Sequence, residues 1–195
     1  FSWGSVTNAN LYQLQVDDDP NFGSPNYTST TSGTSAAVNG SPSPTGDGTW
    51  YWRVRAGRDG TSGGSDSWGN WSAYRTLKID TTAPTSNSIL INGTDTYTNS
   101  STVTLTLASS GAAKMAFSND NSSWAGYVTY ATTVNNYAMA TGQGTQKVYV
   151  RFKDTAGNVS TQVSDLIILD TVNPVVAVTS PNGGETWNGT KNITW

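Results

Sequence analysis

The sequence predicts an all-β protein made of tandem β-sandwiches, and three observations lead to this prediction. Thr, Val, Tyr and Trp recur in short runs that Gly, Asn and Asp separate, as in strands joined by turns. Aromatic residues make up 11% of the 195 residues and charged residues only 12%, a balance that argues against a disordered chain. Two similar segments, KIDTTAP (78–84) and ILDTVNP (168–174), each end an apolar strand with a Pro. Their spacing, about one sandwich apart, indicates domain boundaries.

The composition excludes several classes of function. The chain has no Cys and no His, so it lacks disulfides, thiolate ligands, the commonest metal ligand and the commonest general base. A net charge of −3 argues against a nucleic-acid partner. No apolar run is long enough to span a membrane and no signal peptide is visible, so a targeting signal is expected to lie outside this chain. A Cys-free chain rich in Ser, Thr and Asn is typical of a prokaryotic surface protein, which predicts an extracellular location.

The first segment, residues 1–80, carries alternating patterns that predict strands at Phe1–Val6, Leu11–Val16, Trp50–Ala56 and Ala73–Ile79, with shorter candidates at Tyr27–Thr31 and Ala36–Val38. In GTWYWRVRA the alternation predicts Trp50, Trp52, Val54 and Ala56 on the buried face, and Tyr51, Arg53 and Arg55 facing outward. This stretch resembles the penultimate strand of fibronectin type III-like domains in bacterial and archaeal surface proteins. The resemblance implies a fibronectin type III-like sandwich that lacks its first strand.

The second segment, residues 81–170, has the pattern of a complete sandwich. The predicted strands are Ser88–Ile91, Thr102–Ala108, Ala113–Ser118, Ala125–Tyr130, Val134–Ala140, Lys147–Lys153 and Leu166–Leu169. In KVYVRFKDTAGNVS, Val148, Val150 and Phe152 alternate with polar residues, and a turn follows. Together with YTNSSTVTLTL and FSNDNSSW, this stretch is similar to bacterial immunoglobulin-like repeats of adhesins.

The last segment, residues 171–195, looks like the opening strands of a further sandwich. One explanation is that the chain is part of a longer repeat protein. The other is that Val175–Trp195 is a donor segment that completes the first domain of the next molecule in a filament. The longer chain is the preferred explanation, because most of this segment would compete with Phe1–Val6 for one position; only Val175–Thr179 avoids that conflict.

The segment WGNWS, Trp68 to Ser72, is the main candidate site. It differs by one residue from the Trp-Ser-x-Trp-Ser motif of cytokine-receptor fibronectin domains, in which Trp rings stack between Arg guanidinium groups. The resemblance implies a Trp–Arg ladder of Arg53, Arg55, Trp68, Trp71 and Arg75. The alternative is a sugar-binding platform made by Trp68, Trp71 and Tyr51. The ladder is favoured because nearby Arg residues give the rings a structural reason to lie at the surface.

Two further kinds of site are predicted from short patterns. Asp154, Asn158 and Asp170 lie in a turn and a linker of the kind that binds Ca²⁺ in adhesin repeats, and Asp17 to Asp19 end a strand. Asp in turns also commonly caps its own backbone, so this alternative stays open. Glycosylation candidates are Asn70, Asn92, Asn99 and Asn121, each heading Asn-x-Ser/Thr, although a chain this rich in Ser and Thr contains many such matches by chance.

No motif for a catalytic carboxylate pair or a Ser-Lys pair is visible, so no catalytic residue is predicted. The sequence therefore favours a non-catalytic structural or adhesive segment of an extracellular prokaryotic surface protein, with self-association into filaments or a surface layer. The alternative is a carbohydrate-binding accessory region of a secreted multidomain hydrolase, with a glycan as partner. No cofactor is predicted apart from the candidate calcium.

Overall fold

The computed structural model describes residues 1–38, 46–60, 66–178, 183–184 and 186–190, and every regular element in these ranges is a β-strand. The strands are β1 (Leu11–Asp17), β2 (Tyr27–Thr31), β3 (Gly48–Arg58), β4 (Ser67–Trp68), β5 (Arg75–Ile79), β6 (Thr85–Ile91), β7 (Tyr97–Thr98), β8 (Thr102–Ser110), β9 (Lys114–Ser118), β10 (Val128–Thr129), β11 (Thr133–Ala138), β12 (Gly144–Lys153) and β13 (Val163–Leu169). Among the described residues, no helix is long and apolar enough to cross a membrane.

The chain divides into two compact units. The first unit is Phe1–Thr85 together with Gly111–Ala113 and Lys153–Ser160; the second is Ser86–Ser110, Lys114–Phe152 and Thr161–Trp195. The all-β prediction is confirmed, and the sheets of the second unit form a β-sandwich.

The first unit is built on one five-stranded sheet in the order β2-β1-β3-β4, with β5 also pairing with β3. Strands β1 and β3 are antiparallel from Leu11 opposite Gly57 to Asp17 opposite Tyr51. Alternation along β1 places Tyr12, Leu14 and Val16 on the buried face, as the sequence predicts. On β3 the residues of both faces are half-buried, so the prediction of a buried and an outward face holds only in part for this strand.

A short arm covers the apolar face of this sheet. The backbones of Phe1 and Ala36 exchange hydrogen bonds, and Trp3 N donates to Thr34 O. The Phe1 ring lies edge-on to Trp52 at 5.3 Å, and the Trp3 ring lies 5.9 Å from Tyr12. These ring contacts pack the arm against Trp52 of β3 and Tyr12 of β1.

The predicted strands at Phe1–Val6 and Ala36–Val38 are wrong. In Phe1–Val6 the pairing reduces to the single bridge of Ser2 with Ser35, and Ala36–Val38 contains no strand. At the end of the first range, the Val6 amide donates to the Tyr12 hydroxyl and not to a neighbouring strand. An alternating apolar pattern predicts burial, but it does not specify a partner for the backbone.

The second unit has two sheets, β10-β9-β12-β13-β7 and β11-β8-β6. Both sheets contribute buried apolar side chains to one core: Ile89, Ile91, Val103, Leu105 and Leu107 from the smaller sheet, and Met115, Phe117, Val148, Val150, Phe152, Ile167 and Leu169 from the larger. The alternation predicted on β12 is confirmed, since Val148, Val150 and Phe152 are completely buried.

Two features of the second unit are not evident in the sequence. Strand β7 pairs with β13 in parallel through two residues only, too few to give a pattern. Strand β11 carries a register shift between Val134 and Tyr137, where Asn136 has φ of 55°. Asn tolerates this left-handed conformation better than most residues.

The predicted opening strands in residues 171–195 are not formed in the part of this segment that the structure describes. Residues 171–178 contain no strand, and Val175 is 92% exposed. An extended segment without a hydrogen-bonded neighbour is not a stable strand in water. Residues 179–182, 185 and 191–195 lie outside the described residues, and donation of this segment to another molecule stays a prediction.

Candidate functional site

The candidate site begins with a pairing of polar residues on the outward face of β1 and β3. In the register of these strands, Gln15 lies opposite Arg53 and Gln13 opposite Arg55. Arg53 Nε and Nη2 both donate to Gln15 Oε1, at 2.9 and 2.8 Å, and Arg55 Nε donates to Gln13 Oε1 at 2.9 Å. These bonds fix the direction of both guanidinium planes.

The segment from Trp68 to Ser72 runs along the other edge of β3. Its backbone is held at two points, where Gly69 N donates to Ala56 O and Ser72 N donates to Val54 O, each at 2.9 Å. The Ser72 hydroxyl also accepts a hydrogen bond from Val54 N. The loop is thus anchored to the strand that carries the two Arg side chains.

The side chains of these elements stack in the order Phe22, Arg53, Trp71, Arg55, Trp68. The Cζ atom of Arg53 lies 4.1 Å from the ring centroid of Phe22 and 4.5 Å from that of Trp71. The Cζ atom of Arg55 lies 4.5 Å from the Trp71 centroid and 4.8 Å from the Trp68 centroid. Each guanidinium therefore lies between two rings, and these five side chains are called the ladder below.

Close packing at one end of the ladder requires a glycine. A Cβ atom on Gly57 would lie 2.7 Å from Trp68 Cε3 and 2.7 Å from the Ser67 carbonyl oxygen. Gly57 is buried in β3 opposite Trp68. The missing side chain lets the Trp68 ring lie directly on the strand.

The electrostatic environment of the ladder is set by burial and by neighbouring charges. Burial lowers the pKa of Arg53, and the nearby positive charge of Arg55 lowers it further, while Asp17 opposes the change. An Arg side chain nonetheless stays protonated in proteins. Each cation–ring contact contributes about 0.5–2 kcal/mol, depending on how far it is removed from water.

The structure brings together four of the five residues predicted for the ladder. Arg53, Arg55, Trp68 and Trp71 are in contact as described above. Arg75 begins β5 opposite Trp52, and no contact of Arg75 with a ring is seen among the described residues. Tyr51, the third residue of the alternative platform, packs edge-on against Tyr74 at 5.3 Å.

Phe22, Gln13 and Gln15 belong to the site but were missed by sequence reasoning. Alternation along Leu11–Val16 places the two Gln residues opposite in direction to the apolar residues, yet their pairing with Arg depends on a register that no single strand reveals. Phe22 lies in a loop, is buried, and has φ of 54°, which is unusual for a bulky residue. No local pattern predicts that conformation.

A second cation–aromatic cluster, also missed, lies in the second unit. The Arg151 guanidinium lies 4.4 Å from the Trp124 ring centroid and 5.4 Å from that of Tyr127. Arg151 stands on β12 at an outward position, as Arg53 and Arg55 do on β3. Both units thus place Arg on a long strand against aromatic rings from a nearby loop.

The residues predicted to bind calcium are occupied by local hydrogen bonds. Asp154 Oδ1 accepts from the amides of Gly157 (2.7 Å) and Asn158 (2.9 Å), and Asp154 Oδ2 accepts from Asn158 Nδ2 at 2.9 Å. Burial raises the pKa of Asp154, but these hydrogen bonds outweigh it and the pKa is lowered. Asp170 Oδ1 accepts from Val172 N at 3.0 Å.

Calcium binding at these residues stays a prediction. Asp154 and Asn158 belong to the first unit and Asp170 to the second. Within the described ranges, no group of three or more His, Cys, Asp or Glu side chains is placed to hold a metal ion.

The four glycosylation candidates also stay predictions, and the structure gives their accessibility. Asn70, Asn99 and Asn121 are exposed. Asn92 is half-buried, and its Oδ1 accepts a hydrogen bond from Thr104 N at 2.9 Å.

The first unit also contains a cavity of about 690 Å³ with an aromatic lining. Its walls include Trp3, Trp52, Tyr74 and Arg75. Rings together with a cation are suitable for binding a polar ligand such as a sugar.

No family model matches this chain, and no curated protein matches it. Among solved structures, the chain is similar to the fibronectin(III)-like modules of Clostridium thermocellum CbhA, with a TM-score of 0.40 and 16% identity over 85% of this chain and 82% of that chain. It is also similar to the amphioxus IgVJ-C2 molecule, with a TM-score of 0.27 and 12% identity over 87% of this chain and 93% of that chain. Both TM-scores are low, so neither likeness bears on the function of this chain.

Proposed function

We propose that this chain is a non-catalytic structural or adhesive segment of an extracellular prokaryotic surface protein. The observation that supports the proposal is the ladder. The rings of Trp68 and Trp71 are the aromatic surfaces that a sugar would need, and guanidinium groups of the same chain stack on them. Aromatic side chains engaged in this way stabilise the fold instead of presenting a free ligand platform.

The test of this proposal is the substitution Trp71→Ala in the full chain. It removes the ring shared by Arg53 and Arg55, so the first unit should lose about 1–3 kcal/mol of unfolding free energy, measured by urea denaturation. Trp187→Ala is the matched control, because Trp187 is 40% exposed and outside the ladder; its stability should change by no more than about 0.5 kcal/mol.

Binding of a glycan by the Trp rings of the ladder is the result that would contradict this proposal. On a glycan array, any glycan binding of the wild-type chain should persist in Trp71→Ala. If Trp71→Ala leaves stability unchanged and removes binding to a glycan, the rings serve as a platform and the structural proposal fails. Filament formation by the purified chain in electron micrographs, and antibody labelling of intact cells, test the surface role directly.

One observation favours a second candidate function, a carbohydrate-binding accessory region of a secreted hydrolase. The cavity lined by Trp3, Trp52, Tyr74 and Arg75 combines rings with a cation, and Tyr74 is 51% exposed. Glycan binding that persists in Trp71→Ala and is lost in Tyr74→Ala would establish this alternative.

A further inference from the structure

One Arg side chain of the first unit differs from the others in its surroundings. Arg53 and Arg55 stack in the ladder, and Arg58 Nε donates to the carbonyl oxygen of Asn8 at 2.7 Å. Arg75 is exposed, and its guanidinium group has no hydrogen bond, ion pair or ring contact among the described residues. Because an Arg side chain stays protonated, this positive charge is available to a ligand.

Arg75 lies at the wall of the cavity described above. It is opposite Trp52 in the register of β3 and β5, so the Cβ atoms of the two residues are about 4.5–5.5 Å apart on one face of the sheet. The cavity is lined by three segments: Ser2–Gly4, Trp52 with Val54, and Ser72–Arg75. Its volume of about 690 Å³ lies in the range of about 300–1,000 Å³ that is usual for small-molecule sites.

The aromatic rings of this cavity are held differently from those of the ladder. Trp3, Trp52 and Tyr74 each contact one neighbouring aromatic ring, and no cation stacks on their faces within the described part of the chain. Trp and Tyr combine an apolar ring face with a polar group. Such faces can pack against the C–H groups of a sugar ring, as the rings of the ladder cannot.

The charge of the cavity selects among sugars. Among the described residues that line it, Arg75 is the only charged side chain, and none carries a carboxylate or carboxamide group. A planar guanidinium forms two parallel hydrogen bonds with a carboxylate. The net charge of the chain is −3, so anions are not attracted to the molecule in general and their binding must be local.

We propose that this cavity binds an acidic sugar of the uronate class, with the sugar carboxylate on Arg75 and the sugar ring against Trp52 and Tyr74. The inference deepens the second candidate function and rests on it, since it requires glycan binding at this cavity. It does not depend on the ladder. A single ion pair at an open site makes the binding weak, so the test uses a method that detects weak complexes.

The test is a nuclear magnetic resonance titration of the full chain with trigalacturonate and with its methyl ester, which has the same sugar rings and no charge. Trigalacturonate should shift the indole signals of Trp3 and Trp52 until they saturate. The signal of Trp187, which lies outside the cavity, should not move. The methyl ester should bind at least about tenfold more weakly, because it lacks the charged hydrogen bonds.

Variants assign the binding to individual residues. Arg75→Gln, at an exposed position, should reduce the affinity for trigalacturonate to that for the methyl ester, with circular dichroism checking that the variant is folded. Tyr74→Ala should weaken the binding of both ligands. Lys78→Gln is the matched control, because Lys78 is an exposed cation of the same strand outside the cavity; this variant should bind as the wild type does.

The possible contrary results separate this inference from the second candidate function. Equal binding of trigalacturonate and its methyl ester, weakened in Tyr74→Ala, would overturn the inference and leave a cavity for neutral sugars. Absence of any shift with either ligand would overturn both. Undiminished binding of trigalacturonate in Arg75→Gln, or equally tight binding of a triglutamate peptide, would show that the site does not recognise a uronate through Arg75 and would also overturn the inference.

Discussion

The Asp120 side chain organises a turn of the second unit. Its Oδ1 atom accepts hydrogen bonds from the amides of Ser122 and Ser123, at 2.8 and 2.7 Å, and from the Ser118 hydroxyl at 2.8 Å. The bonds from Ser123 and Ser122 lower the pKa of Asp120 well below its ordinary value of 3.8. The charged carboxylate is therefore the form that holds this turn.

This arrangement predicts an acid-sensitive contribution to stability. Because the folded pKa is lower than the unfolded one, the contribution is present above the ordinary value near 3.8 and is lost as the pH falls toward the folded pKa. We expect Asp120→Asn to be less stable than the wild type at about pH 7, with the difference shrinking below about pH 4. Urea denaturation across this range measures it, with Asp95→Asn as control. A difference that does not change with pH would contradict the prediction.

Strand β3 tolerates no side chain at the position where it meets Trp68. In Gly57→Ala the new Cβ would lie 2.7 Å from both a backbone oxygen and the indole ring, so Trp68 must move away from Arg55. We expect the first unit to lose about 1–3 kcal/mol of unfolding free energy, with a change in near-ultraviolet circular dichroism.

Gly23→Ala is the matched control for this prediction. A Cβ at Gly23 would have no neighbour within 4 Å, so the same chemical change should have little effect. Equal stability of Gly57→Ala and Gly23→Ala would show that Trp68 does not depend on this contact.

At the level of strands, the sequence predicted most positions, apart from the wrong strands at Phe1–Val6 and Ala36–Val38, and it predicted partners poorly. The outward direction of Arg53 and Arg55 follows from alternation along one strand, and the nearby WGNWS segment supplied the rings. The pairing of Arg55 with Gln13 depends on the register of two strands far apart in sequence. The position of Phe22 depends on a left-handed backbone in a loop, which the tertiary contacts impose and local preference disfavours.

At the level of the whole molecule, the tandem domains predicted from the two Pro-terminated segments stay a prediction, since the first unit also takes in Gly111–Ala113 and Lys153–Ser160. The sequence did not predict how the first unit covers its sheet. The arm at Phe1–Trp3 fills that role through ring contacts with Trp52 and Tyr12. The contacts that a side chain makes across the core involve residues far away in sequence, so an alternating pattern does not reveal them. The second unit was better predicted because its buried residues alternate regularly on both sheets.

Because each unit has its own buried residues, a substitution in one unit should lower the unfolding transition of that unit. Phe152 is completely buried, so Phe152→Ala should cost the second unit about 3–5 kcal/mol, whereas Trp71→Ala should affect the first. Differential scanning calorimetry should show each variant lowering a different transition. Leu166→Ala, at a 51% exposed position, is the control, and a shift of both transitions by either variant would contradict the assignment.

The neutral partners of the two Arg side chains in the ladder determine how this part of the first unit responds to salt and pH. Arg53 and Arg55 are bound mainly by amide oxygens and ring faces, and neither kind of partner gains or loses a proton in the ordinary pH range. Dissolved ions weaken surface ion pairs by screening them. The hydrogen bonds and ring contacts of the ladder contain no anion, and screening acts on the repulsion between Arg53 and Arg55 and on the attraction between Arg53 and Asp17, which oppose each other. We therefore expect this face to hold its shape equally in fresh water, in brine and in mild acid.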